Sequence, residues 1–224
     1  SVSGLYTAAY RIPTMITLVA SIFIDAWQLS SINDNTRQQQ ITFFSNVGNM
    51  FASIVLLIAS GAILCSKLAI SILTAPDYYS AWTYVPLLAL SASFSCLSSF
   101  QNSIYTLEKK TFQSFLSTAF TAIINIVLNA LLIPRLAGMG ATISSLVSYF
   151  FLFMYRAVDT RRFLPVRWKR RRLTITVVLT FVQAILMLLE PPLWLIWQII
   201  LFVLVFLLNC RELLVGVKKL LRRA

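Results

Sequence analysis

Seven apolar runs divide the chain, at residues 12–29, 47–64, 85–103, 112–132, 137–155, 173–189 and 193–208. Each approaches the roughly 20 residues that an α-helix needs to cross about 30 Å of hydrocarbon. The pattern predicts an all-α membrane protein, a polytopic bundle of about seven transmembrane helices. Turn chemistry separates the runs. Pro134 stops the fourth, Glu190, Pro191 and Pro192 turn the last two into a hairpin, and Pro13 falls in the opening turn of the first, where a missing N–H costs little. Tyr6 and Tyr10 mark the entry to the first span, and Tyr78, Tyr79, Trp82 and Tyr84 the entry to the third. Aromatic rings gather in this way at a membrane–water interface. Residues 67–73 are too short to span and read as an amphipathic stub lying at that interface.

Composition agrees with the pattern. Hydrophobic residues make up 58% of the 224 and charged residues 12%, about half the share found in soluble domains. A polar skin cannot be built from so few charges. The net charge of +12 does not point to nucleic acid, because the basic residues sit between apolar runs and act as membrane anchors. Alternating seven spans places Arg37, Lys109, Lys110, the basic residues of 156–172 and the tail from Arg211 on one side. Arg11, Lys67 and Arg135 fall on the other, so sixteen of nineteen basic residues share a side. By the positive-inside rule that side is cytoplasmic, the carboxy terminus included, and Ser1 lies outside. Residues 1–160 then form a bundle of about five spans, 161–172 a cytoplasmic basic loop touching anionic membrane lipids, and 173–224 an appended two-helix hairpin with a basic tail.

Polar residues inside the spans carry the functional signal. Ser114, Thr118, Thr121, Asn125 and Asn129 share one face of the fourth span; Asn46, Asn49, Ser53 and Ser60 line the second, and Ser91, Ser95, Ser99 and Asn102 the third. Gly140, Ser144 and Ser148 set a small-residue stripe on the fifth, which suits close helix packing. Two amides a turn apart, Asn125 and Asn129, need partners in lipid or water from a cavity, and both readings stay open. Arg11 and Asp25 are 14 residues apart, roughly 21 Å along a helix, too far to neutralise each other. The substrate-cavity candidates are therefore Arg11, Asp25, Asn125 and Asn129.

Catalysis has little to work with. The chain holds no histidine, and Cys65, Cys96 and Cys210 lack metal-ligand spacing, so neither a metal nor a cofactor is expected. The outer loops offer Asp77, Arg135 and Glu190 and little else, which argues against an enzyme.

Three stretches resemble a known family. GLYTAAYRIPTMITLVASIFIDAWQLS (residues 4–30), SKLAISILTAPDYYSAWTYVPLLALS (residues 66–91) and NIVLNALLIPRLAGMGATISSLVSY (residues 125–149) are similar, in order, to the carboxy-terminal lobe of bacterial oligosaccharide flippases. These are the Wzx-type members of the multidrug/oligosaccharidyl-lipid/polysaccharide exporter superfamily. The resemblance implies one lobe of a two-lobed exporter fold in the bacterial cytoplasmic membrane, its lumen lined by polar and cationic groups. It implies an undecaprenyl-diphosphate-linked oligosaccharide as substrate. Ser1 opens within the approach to a helix, so the chain reads as a fragment whose partner is a missing amino-terminal lobe. A sister exporter of drugs or of a peptidoglycan precursor, and a non-transporting membrane subunit, would share this topology.

Overall fold

The structure, a computed structural model, describes the backbone of residues 2–28 and 36–221 and the side chains of residues 3–25 and 36–212. Gln28 of the first span and the basic tail beyond Glu212 lie outside the described side chains. The described residues form seven α-helices: α1 (Val2–Gln28), α2 (Arg37–Leu64), α3 (Ser66–Leu73), α4 (Val85–Leu107), α5 (Thr111–Asp159), α6 (Arg170–Leu189) and α7 (Trp194–Leu221). A 3₁₀ segment, Pro76–Tyr84, leads into α4. The short α3 coincides with the stub expected at residues 67–73.

The fourth and fifth predicted spans are the two arms of α5, which together cover 49 residues. As a straight rod α5 would reach about 74 Å, more than twice the bilayer core. It is not straight. Ala137 has φ 49° and ψ −129°, a backbone that reverses the chain. Arg156 bonds Ser117, Asn125 bonds Ser148, and Gly140 meets Leu132. Each pair is centred near the same point beside Ala137, as only two antiparallel arms allow. Pro134 does not end the first arm; the reversal comes three residues later.

Six described helical stretches are long and apolar enough to cross a membrane, and counting the two arms of α5 separately makes seven among the described residues. The chain is a multi-pass membrane protein. The surface bears this out: Leu18, Ile22, Phe115 and Ile126 stand exposed with no aqueous reason to do so.

Helix α4 is the central post. Val85, Leu88, Leu90, Phe94, Leu97, Phe100 and Ile104 along it are fully or almost fully buried, because α1, α2, both arms of α5 and α6 pack around it. Phe100 stacks on Phe51 at 5.5 Å and meets the edge of Trp168 at 5.9 Å. Gly48 makes room for this cluster, since a Cβ there would lie 2.8 Å from the Phe100 ring. The post ends where Lys109 turns left-handed (φ 53°) and the Lys110 N–H bonds the Tyr105 carbonyl, a Schellman closure.

One expectation about α1 is corrected. The helix begins at Val2, ten residues before the predicted span, so Pro13 lies in its interior and not in its opening turn. Hydropathy missed this first stretch because Ser3, Thr7 and Arg11 dilute it. Beside the proline, Thr14 Oγ1 donates to the Tyr10 carbonyl at 2.8 Å, while the missing Pro13 N–H takes from the Ala9 carbonyl its usual helical donor.

Charges collect at the two ends. At the basic end Arg37 pairs with Glu108, and Lys169 and Arg172 share Glu212. At the opposite end Lys67 pairs with Glu190 and lies over the rings of Trp82 and Trp194 at 4.5 and 4.3 Å. Lys67 thus holds the tip of the α6–α7 hairpin against α3, while Glu212 closes the hairpin's other end on itself. Its few polar residues face inward: Ser60 Oγ donates to Gln183 Oε1 at 2.6 Å, Gln198 Nε2 to the Gln183 carbonyl at 3.0 Å, and Asn209 Nδ2 to Thr176 Oγ1 at 3.3 Å. The first of these bonds fastens α6 to α2, and the other two join α6 to α7 within the hairpin.

Candidate functional site

The four candidate residues occupy three separate places. Arg11 is exposed on α1. It lines a cavity of about 390 Å³ with Tyr6, Tyr10 and Thr14, and another of about 380 Å³ with Thr74 and Tyr78. It therefore stands at the mouth of the bundle, opposite the basic end. Asp25 is exposed near the other end of α1, without an ion pair among the described residues. Asn125 and Asn129 are half-buried in the middle of α5. Among the described residues no hydrogen bond, ion pair or shared cavity joins Arg11 to the two asparagines.

The polar stripe of the first α5 arm is turned toward the second arm and α4. Ser114 Oγ donates to Asn102 Oδ1 at 2.5 Å, Asn125 Nδ2 to Ser148 Oγ at 3.3 Å, and Asn129 Nδ2 to Asn125 Oδ1 at 2.9 Å. Asn129 Oδ1 has no partner among the described residues. The stripe is thus a seam between helices, with one acceptor left over at its far end.

The strongest feature of that seam is Arg156, which is 5% exposed. Charge counting assigns Arg156 to the basic loop, whereas α5 runs on to Asp159 and carries it into the packing. Its Nε donates to Ser117 Oγ at 3.0 Å, Nη1 to the Ser98 carbonyl at 3.0 Å, and Nη2 to Thr118 Oγ1 at 2.9 Å and the Ser114 carbonyl at 3.4 Å. Four of a guanidinium's five donors are satisfied by neutral oxygens. Its Cζ lies 6.0 Å from the Tyr105 ring centre, and the Tyr105 hydroxyl donates to Asp159 Oδ2 at 2.7 Å. No carboxylate touches Arg156 itself among the described residues. The fork ties α4 and both α5 arms together, because its planar donors reach α4 and the first arm at once from the second. A sequence signal existed: Ser98, Ser114, Ser117 and Thr118 supply a polar pocket that aliphatic packing would not require.

The basic loop is also more than an anchor. Leu164, Val166 and Trp168 point into the bundle while Pro165, Arg167 and Lys169 point out. Asn49 holds it from α2: Asn49 Nδ2 donates to the Arg167 carbonyl at 3.0 Å, and the Lys169 N–H donates to Asn49 Oδ1 at 2.9 Å. Ser45 Oγ accepts the Arg167 N–H at 2.8 Å. On the predicted stripe of α2, Asn46 is exposed and Ser45 takes its place. Burial, and then the charges of Arg172 and Arg211, hold the Lys169 ammonium below the ordinary lysine range.

Among the described residues no group of His, Cys, Asp and Glu could hold a metal ion. Comparison with protein-family models, with curated proteins and with solved structures finds no match.

Proposed function

We propose that the chain is one lobe of a two-lobed bacterial exporter that carries an undecaprenyl-diphosphate-linked oligosaccharide across the cytoplasmic membrane. The observation that carries the reading is the ordered resemblance of residues 4–30, 66–91 and 125–149 to the carboxy-terminal lobe of oligosaccharide flippases. Physical features support it. The third stretch coincides with the α5 reversal, where the small residues of the motif are needed for close backbone contact. Arg11 stands unpaired among tyrosines at one mouth, a suitable contact for a diphosphate. The unpartnered Asn129 oxygen suits a sugar hydroxyl. The concentration of basic residues puts the loop at 161–172 in the cytoplasm. A second lobe would close the lumen, and rocking of the two lobes would alternate its opening.

The test is made in cells carrying the full-length protein. Loss of the gene lowers surface polysaccharide and leaves its lipid-linked repeat unit at the inner leaflet. Arg11→Ala reduces surface polysaccharide about 10- to 100-fold, the worth of one charged hydrogen bond to the substrate, and Arg11→Lys restores part of it. Normal surface polysaccharide in the gene deletion would refute the reading.

A further inference from the structure

The groove between the second arm of α5 and α6 differs from the rest of the apolar surface. Phe94, Leu146 and Phe153 form its buried floor, while Met154 and Val178 stand open at its lips. It encloses about 550 Å³. At the basic end Trp168 and Arg170 close it. The same two residues line a second cavity of about 530 Å³, whose walls include Gln38, Arg161 and Arg167. An apolar slot and a cationic chamber therefore share a wall.

The chamber's charge is uncompensated. Arg161, Arg167 and Arg170 make no ion pair and no side-chain hydrogen bond among the described residues. The carboxylates nearby are already engaged: Glu108 by Arg37, Glu212 by Lys169 and Arg172, and Asp159 by Tyr105 and Arg162. Asp25 lines neither cavity. Three like charges around one chamber repel each other, and among the described residues no carboxylate at the chamber is free to balance them, so an added anion would be attracted there. A ligand that offers an anion to the chamber and a hydrocarbon chain to the slot satisfies both.

We infer that the two cavities form one binding site for an anionic phospholipid of the surrounding membrane. One acyl chain lies in the slot between Phe153 and Phe181. The phosphate sits at Arg170, and the headgroup reaches toward Arg161 and Arg167. The slot opens sideways between Met154 and Val178, so the lipid enters without leaving the bilayer. Arg11, Asn125 and Asn129 line neither cavity, so the site shares no residue with the proposed contacts of the exported substrate.

The experiment is native mass spectrometry of the detergent-purified full-length protein mixed with phosphatidylglycerol or phosphatidylcholine. Phosphatidylglycerol is retained in preference. Changing Arg161, Arg167 and Arg170 to Gln weakens retention about fivefold for each, and about 100-fold together. Val178→Trp fills the slot and weakens retention with all three arginines present. Arg211→Gln, a charge removed at the same end but outside both cavities, leaves retention unchanged. Unaltered melting temperatures in detergent verify that the variants are folded. Equal retention of the two lipids, or indifference to the arginine changes, overturns the inference. Displacement of phosphatidylglycerol by an equal concentration of polyprenyl phosphate also overturns it, because the site then belongs to an isoprenoid carrier.

Discussion

Gly140→Leu is expected to force the two arms of α5 apart and to prevent the bundle from folding. A Cβ on Gly140 would lie 2.6 Å from both the carbonyl carbon and the oxygen of Leu132, and these are backbone atoms that cannot rotate away. Even Gly140→Ala requires the arms to separate, at about 1–3 kcal/mol of overpacking strain. Leucine adds three more carbons to the same collision. The arms would then lose the seam contacts of Asn125 and Arg156. Yield and melting temperature in detergent measure this directly. The same hairpin contains a change with the opposite sign. Ala137 holds a strained positive φ, which costs a non-glycine residue about 1–3 kcal/mol. Ala137→Gly relieves that strain against about 0.5–1 kcal/mol of extra backbone entropy. Its melting temperature should rise, while that of Gly140→Ala falls.

Arg156→Ala is expected to destabilise the bundle by about 2–4 kcal/mol, with a less obvious ranking among its relatives. Removing the side chain deletes four charge-assisted hydrogen bonds, each worth about 1.5–3 kcal/mol, and leaves a void. It also removes the several kcal/mol needed to keep a charge out of water, so the net effect is much smaller than the gross. The oxygens it abandons keep other bonds: Ser117 and Thr118 both still donate to the Ser114 carbonyl. Arg156→Met, which restores volume without charge, should therefore melt above Arg156→Lys. A lysine keeps the buried charge but cannot span Ser98, Ser117 and Thr118 with one ammonium. If lysine proved as stable as arginine, the clamp would be a simple point charge and this description of the seam would be wrong.

Most of the fold was legible in the sequence, because hydropathy and turn residues act locally. The runs at 112–132 and 137–155 flank the true reversal, and Pro191–Pro192 does turn the last hairpin. What escaped was polarity that has tertiary partners. A charge count treats every arginine as a marker of loop, so Arg156 was placed outside the bundle; only the surrounding serines and threonine hint otherwise. The loop at 161–172 looked like a solvated anchor because its charges dominate. Yet Leu164, Val166 and Trp168 alternate with outward residues at a period of two, the signature of an extended segment with one face buried. Asn46 was read onto the inner face of α2 where Ser45 lies, an error of one residue or about 100° on a helix. The polar face of α5 was correctly grouped. Its partners were not visible, since Ser148 and Arg156 come from an arm that folds back over it.

The sidedness of single cysteines in α5 probes the seven-crossing bundle most directly. Each is introduced into a cysteine-free full-length protein, and sealed right-side-out and inverted vesicles are treated with a membrane-impermeant thiol reagent. Cysteines at 109 and 165 should react only in inverted vesicles, and those at 135 and 190 only in right-side-out ones. Labelling of positions 109 and 135 from the same face would contradict the α5 hairpin, and with it the placement of every later span.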